Sequence, residues 1–281
     1  MAIDLLKLSI KKGILLFGVF IPNLIFSQYQ TGRVFSSKTN SGISYVTIVV
    51  MGNNTGTVSD KSGVFTINLN NIEDNDTLRF SMIGYESKNV PAGQFKRDSV
   101  KVIYLDPVFY YLNEVEVAYH RPNDIRLGTP VTSDALRSGF GYNDLGSELG
   151  IKVSSRRRLK LTDLHLNVAT CTYDSVTYRL NIYQAENKTA EYKNILTAPV
   201  YISFSKEDIK EELNFDLRKY SIIVEGYLLF ALELYKDLGE GRLLFRTQFF
   251  TGTTYHRKTN IGKWTEAAGM IGMYLHGQSV K

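Results

Sequence analysis

Few of the 281 residues have the type and spacing to do chemistry. The four histidines, His120, His165, His256 and His276, are far apart in sequence and fit no HExxH or other short metal motif. They could converge in three dimensions, but they read as scattered surface or core histidines, and no metal site is assigned to them. The single cysteine, Cys171, lies between Thr170 and Thr172 in a strand-like run without a catalytic signature, and reads as a small buried side chain. One cysteine also rules out an intramolecular disulfide. No Gly-x-Ser-x-Gly elbow, Walker motif or dinucleotide-binding pattern occurs. No cofactor is expected, and no residue is assigned a catalytic role.

Paired carboxylates are the machinery of glycoside hydrolysis and work at about 5–10 Å. Glu225 and Glu233 share one face of an alternating run with Tyr227 and Tyr235, but eight residues of extended strand span roughly 27 Å. That pair fails unless the strand folds back near Gly226, although either glutamate could meet a carboxylate from a neighbouring strand. Both read as polar face or rim positions. Arg156, Arg157 and Arg158, followed by Lys160, form the densest basic run, suited to lipid phosphate or acidic glycan by charge-assisted contacts. Ser154-Ser155 before it and Leu159 after it give it the look of a solvated turn entering a strand. Tyr255, His256 and Trp264, with Arg257 and Lys258, make an aromatic loop bracketed by turn-forming residues. Such rings contact a ligand or close the end of a core. Arg156, Arg157, Arg158, Tyr255, His256 and Trp264 are therefore the candidate partner- or glycan-binding residues.

Strands must position these groups. In Gly56–Ser87 the turn Asp60-Lys61-Ser62-Gly63 separates Val58 from an alternating run in which Phe65, Ile67 and Leu69 form the apolar face. After the polar cluster Asn71–Asp76, Leu78, Phe80 and Met82 form a second apolar face, ended by Gly84. Ile43–Met51 is a β-branched strand ahead of this stretch, and Leu112–Ala118 is a further alternating segment after it. Residues 120–148 hold Pro122, Pro130 and several glycines and read as a connector with a short helical turn at Ser133–Ser138. Beyond it the chain is again β-rich. Leu159–Ala169 alternates, but the step from Leu161 to Leu164 requires a bulge or a register change. Further strands are expected at Ser175–Gln184, Asn194–Ser205, Ser221–Leu234, Arg242–Phe250 and Ala268–Leu275, with a single helical turn within Lys206–Glu212.

Composition sets the compartment. Lys7, Lys11 and Lys12 precede an apolar run, Gly13–Ile21, and then Ser27-Gln28: the layout of a secretory signal peptide cleaved after Ser27. A retained membrane anchor is the alternative, though Pro22 and Asn23 interrupt the apolar run and no second span follows. Cleavage takes three lysines and Asp4, a net +2, so the remainder stands at +3 rather than +5. That balance gives no reason to expect nucleic acid.

Thr31-Gly32-Arg33-Val34, the Gly56–Phe65 stretch and Leu78–Tyr85, in this order, resemble the carboxypeptidase-regulatory-like domain of Bacteroidetes envelope proteins, and Leu112–Val117 resembles the segment that often closes it. The resemblance covers roughly residues 29–118. It implies a transthyretin-like sandwich without catalytic residues of its own. Tyr178–Tyr183 and Phe215–Tyr220 more loosely resemble the region that follows this module in related proteins, with no activity to transfer.

The expected architecture is all-β: a signal peptide (1–27), a seven-stranded transthyretin-like sandwich (28–119), a connector (120–148) and a second β-sandwich or jelly-roll-like domain (149–281). The expected role is a non-catalytic envelope binding or assembly protein whose loops meet an envelope protein or a surface or periplasmic glycan. A polysaccharide-active hydrolase using a carboxylate pair of the second domain is the alternative. The expected location is the periplasm or outer-membrane periphery, with the extracellular side as the alternative.

Overall fold

The computed structural model describes residues 29–108, 124–210 and 212–280. The expected signal peptide, the Leu112–Ala118 segment and His120 lie outside these residues. Among the described residues no helix is long and apolar enough to cross a membrane.

The first unit comprises β1 (Tyr29–Ser36), β2 (Thr47–Val50), β3 (Gly56–Val58), β4 (Val64–Asn68), β5 (Thr77–Ser81), β6 (Lys88–Pro91), the short α1 (Ala92–Arg97) and β7 (Val102–Leu105). Its two sheets have the orders β4-β1-β7 and β3-β2-β5-β6. The alternation read from sequence sets the inner faces: Phe65, Ile67, Leu78 and Phe80 are buried, whereas Thr66 and Asn68 are exposed. Phe65, Phe80 and Phe95 pack at centroid distances of 5.6–6.2 Å and fill the core. The Asp60 turn forms as its residues require. Asp60 Oδ1 accepts from the Ser62 and Val64 amides at 2.8 and 2.9 Å, and Gly63 takes φ +84°. Burial raises the Asp60 pKa, but hydrogen bonds from Ser62 and Val64 outweigh it and leave the group below its ordinary value.

The second unit comprises β8 (Asp124–Thr129), β9 (Leu136–Phe140), β10 (Glu148–Leu166), β11 (Val168–Cys171), β12 (Ser175–Ala185), β13 (Lys193–Asn194), β14 (Val200–Ser205), β15 (Leu213–Asp216), β16 (Ile223–Glu233), β17 (Leu243–Arg257), β18 (Thr265–Ile271) and β19 (Met273–Ser279). All twelve strands belong to one hydrogen-bonded system. The protein is thus all-β, a sandwich followed by a second β domain.

The supposed connector is more ordered than its proline and glycine content implies. β8 pairs with β19 and β9 with β17, and Leu136–Phe140 is a strand where a helical turn was expected. The reason is pairing: Gly139 lies across from Leu244, and a Cβ there would meet the Leu243 carbonyl at 2.1 Å. Within Lys206–Glu212 one short 3-10 turn forms, Lys206–Asp208, capped through Ser205 and Asp208.

β10 runs for 19 residues and organises the second unit. Its first part lies between β16 and β17, and its last part between β15 and β19. Leu159, Leu161, Leu164 and Leu166 all enter the core, and the register shifts between Leu161 and Asp163, the bulge their spacing demands. A second shift lies between Ser155 and Leu159.

The two units meet across β2. Thr47, Ile48, Val49 and Val50 are all buried, so this strand has no solvent face. Ile48 and Val50 belong to the sandwich core, while Thr47 turns outward to Glu233 of β16. This explains why Ile43–Met51 reads as nearly continuous apolar sequence where its neighbours alternate.

Candidate binding cleft

Strand register builds a row of charge across four neighbouring strands. Arg257 of β17 lies opposite Glu148 of β10, Glu148 opposite Glu233 of β16, and Glu233 opposite Arg179 of β12. Two and four residues along β12, Asn181 and Tyr183 share the face of Arg179. All six side chains are buried.

Hydrogen bonds close the row. Arg179 donates from Nε to Glu233 Oε2 at 2.9 Å and from Nη2 to Oε1 at 2.7 Å, a two-pronged pair. It also reaches into the first unit, donating to the Tyr45 carbonyl at 2.9 Å and to Thr47 Oγ1 at 2.7 Å. Tyr45 holds φ +59° there, and its ring packs edge-on against Tyr235 at 4.7 Å. Glu148 accepts from Asn181 Nδ2 at 2.5 Å, from the Tyr183 hydroxyl at 2.7 Å and from Arg257. The same Asn181 nitrogen donates to Glu233 Oε2 at 2.7 Å. One nitrogen thus bridges both carboxylates, whose facing oxygens can be no further apart than its two contacts combined, about 5.2 Å.

Charge is unequal between the two. Burial raises the pKa of both. For Glu233 the Arg179 guanidinium, together with hydrogen bonds from Asn181 and Thr47, outweighs burial and holds the carboxyl below its ordinary value. For Glu148 burial prevails over Arg257, the nearby Glu233 adds to it, and the carboxyl is pushed up. Glu233 is thus the more acidic of the two.

Above this floor lies a cleft of about 600 Å³ between the units. Arg79, Ser81 and Tyr85 line it from the first unit, and Tyr183, Tyr192, Asn260 and Trp264 from the second. Arg257 lies 4.1 Å over the Trp264 ring, which meets Tyr183 edge-on at 6.0 Å. Asn260 Nδ2 donates to Ser81 Oγ at 3.1 Å, joining the walls. Arg79 Nε and Asn260 Oδ1 are buried atoms without a hydrogen-bond partner among the described residues. Lys193 and Lys263 add positive charge, against one exposed carboxylate, Glu191.

The candidate residues from sequence divide. Trp264 lines the cleft. Tyr255 packs in the same aromatic cluster, with Lys152 Nζ 4.1 Å from its ring. His256 is exposed on the reverse face of β17, because strand alternation turns it away from Tyr255 and Arg257. Tyr255, His256 and Arg257 end strand β17, and the expected loop is confined to residues 258–264, which carry Trp264. Arg156, Arg157 and Arg158 are exposed, apart from the cleft, and occupy the β10 bulge rather than a turn before a strand. Glu225 is exposed as expected, whereas Glu233 is 1% exposed, because Arg179 supplies the partner that permits burial. Cys171 is half-buried, and burial raises its thiol pKa. The histidines are not all scattered. His165 and His276 converge through β10–β19 pairing, with ring centroids 4.9 Å apart beside Asp163.

Arg179, Asn181, Glu148 and Arg79 escape the sequence reading, and Arg257 enters it only as a companion of the aromatic loop. One signal was available: in Tyr178–Tyr183 the apolar residues Tyr178, Leu180 and Ile182 alternate with Arg179, Asn181 and Tyr183. Glu233 likewise interrupts an otherwise apolar run. A polar set inside a strand buried on both faces must find partners.

No curated protein matches this chain. Among solved structures, the VP2 subviral particle of infectious bursal disease virus aligns over 90% of this chain and 64% of its own, at 9% identity and a TM-score of 0.17. This chain thus spans under two thirds of that one, and so slight a likeness carries no structural argument. The family comparison is sharper: the model of the CarboxypepD_reg-like domain matches residues 30–117, so this part of the chain, sheets β4-β1-β7 and β3-β2-β5-β6 included, is a carboxypeptidase-regulatory-like domain.

Proposed function

We propose that the protein is a non-catalytic binding protein of the cell envelope whose interdomain cleft takes an extended, acidic glycan. The observation that carries this reading is an aromatic wall, Trp264, Tyr192 and Tyr85, set in one cleft with the exposed lysines Lys193 and Lys263. A sugar ring stacks on an aromatic face, while its acidic groups answer Lys193 and Lys263. The floor below is rigid, since Arg179 and Arg257 are already committed to Glu233 and Glu148.

A second reading has a specific observation behind it. Glu148 and Glu233 have oxygens within about 5.2 Å and pKa values pushed in opposite directions, as a retaining glycosidase requires. Against it, both glutamates are 1% exposed and every carboxylate oxygen accepts a hydrogen bond. A nucleophile so enclosed has no path to an anomeric carbon.

Glycan-array binding of the secreted chain, beside Trp264→Ala and Lys263→Glu, separates the readings. Binding to acidic glycans that both substitutions weaken, with no release of reducing ends, supports a binding protein. Release of reducing ends that Glu233→Gln abolishes supports the hydrolase. Absence of glycan binding, with a crosslinked envelope protein retained at the cleft, overturns the glycan ligand.

A further inference from the structure

A second polar cluster lies away from the cleft, where β10 meets β15 and β19. Asp163 and His165 share one face of β10, the bulge before Asp163 having re-aimed this face. Antiparallel pairing sets His276 opposite Asp163 and Tyr274 opposite His165. His276 Nδ1 is 2.9 Å from Asp163 Oδ1, and His165 Nε2 contacts the same oxygen. One donor atom from each of Asp163, His165 and His276 lies within 4.8 Å of the others.

Supporting contacts lie around this trio. His165 Nδ1 is 2.6 Å from Glu212 Oε1. Glu212 is itself held by the Tyr274 hydroxyl at 2.8 Å and by Asn167 Nδ2 at 3.2 Å. The Tyr274 ring stacks on the His165 ring at 4.4 Å with 5° between planes, which fixes its orientation. His165 is 7% exposed, while the His276 side chain is one-third exposed and opens the trio to solvent.

Hydrogen-bond stoichiometry then poses a question. A carboxylate only accepts, and a neutral imidazole carries one N–H. His165, buried between two carboxylates, can satisfy only one of them as a neutral ring. A cation at Nε2 resolves this: Nδ1–H donates to Glu212, and the Nε2 lone pair is freed for the metal. This carboxylate–histidine–metal arrangement is how metal-ligating imidazoles are usually oriented.

We infer that Asp163 Oδ1, His165 Nε2 and His276 Nδ1 form a mononuclear site for a divalent transition-metal ion of the zinc type, with an open position on the His276 side. Two imidazoles and one carboxylate suit Zn²⁺, Co²⁺ or Ni²⁺ better than Ca²⁺ or Mg²⁺, which prefer all-oxygen shells. Tetrahedral bonds of about 2.0–2.2 Å set ligand atoms roughly 3.3–3.5 Å apart, so the 2.9 Å contact of His276 with Asp163 must open by about half an ångström and the shorter contact of His165 by more. The exposed edge of His276 allows that movement. An ion there would tie β19 to β10 independently of the cleft.

The test uses the untagged full chain after dialysis against chelator. Zn²⁺ is titrated by calorimetry, Co²⁺ by visible absorption, and melting is followed with and without Zn²⁺. The inference expects one ion per chain, Co²⁺ bands of a four- or five-coordinate centre, and a melting temperature raised by Zn²⁺. His276→Gln, at a one-third-exposed position, should keep the fold by circular dichroism and lose the ion. Glu212→Gln should weaken binding about 10–100-fold while keeping the one-to-one ratio, which a merely structural glutamate would not do. Absence of Zn²⁺ binding at submillimolar metal overturns the site. Binding that survives His276→Gln together with Asp163→Asn overturns it equally, as adventitious metal elsewhere.

Discussion

Replacing Arg179 by methionine should uncouple the two units while leaving each strand in place. Methionine fills most of the space but removes both bonds to Glu233 and those to the Tyr45 carbonyl and Thr47. Glu233 then retains only Asn181 and Thr47 as partners. Removing one partner of a buried ion pair typically costs about 3–5 kcal/mol, because the other charge stays buried without compensation. That is a large share of the roughly 5–15 kcal/mol that holds a domain folded. The assay is urea unfolding at neutral pH, read by circular dichroism and by fluorescence of Trp264, the only tryptophan. The companion is Arg179→Met with Glu233→Leu, which removes both charges and should recover at least about 2 kcal/mol of the single-site loss. If Arg179→Met costs less than about 1 kcal/mol, the level of an exposed pair, the clamp does not exist as described. If the double variant is no better than the sum of its parts, the loss arose from packing and not from stranded charge.

Three further outcomes follow from other positions. Gly63→Ala should destabilise the first unit by roughly 2 kcal/mol or more, seen as a lower melting temperature, because φ is +84° and the new Cβ would meet the Val34 carbonyl at 2.5 Å. The stability–pH profile should have two opposing limbs. Glu233, with its folded pKa depressed, stabilises fully above its ordinary value of 4.5, and this is lost as pH falls through the folded pKa. Glu148, with its folded pKa raised, lowers stability as pH rises from 4.5 through that raised value, so Glu148→Gln should remove this falling limb in chemical denaturation and leave the acid limb intact. Phe250→Asn should hold or raise stability by up to about 1 kcal/mol in a thermal melt, since the Phe250 side chain is fully exposed and its backbone sits at φ +65°, which asparagine tolerates.

The legibility of this chain follows the range of its interactions. The first unit was readable because Phe65, Ile67, Leu78 and Phe80 announce their faces by period two, and Asp60 and Gly63 announce their turn within four residues. The β10 bulge was readable from the three-residue step between Leu161 and Leu164. The cleft floor was not, because Glu148 meets Glu233 only through the register of strands far apart in sequence, and register is not written in either strand alone. The same holds for His165 and His276, which no short spacing connects until β19 aligns with β10. Trp264 was readable as an aromatic beside turn residues, but its partners Arg257 and Tyr183 were assigned other roles or none.

The course of β10 also governs how the chain can be made. The described strands of the first unit all lie within residues 29–105, so this sandwich can close early in synthesis. β10 cannot, since its partners lie at 213–216, 223–233, 243–257 and 273–279. Until those residues emerge, a 19-residue strand carries unpaired backbone on both edges and four leucines on one exposed face. A nascent chain in that state is a target for self-association and a client for a holding chaperone, and its folding is slowed by the long loops it must close. The run Arg156-Arg157-Arg158, seated in the β10 bulge, places three like charges on the same strand during this interval. Like charge opposes the stacking of one copy on another, so the triplet guards the unfinished protein as well as decorating the finished one.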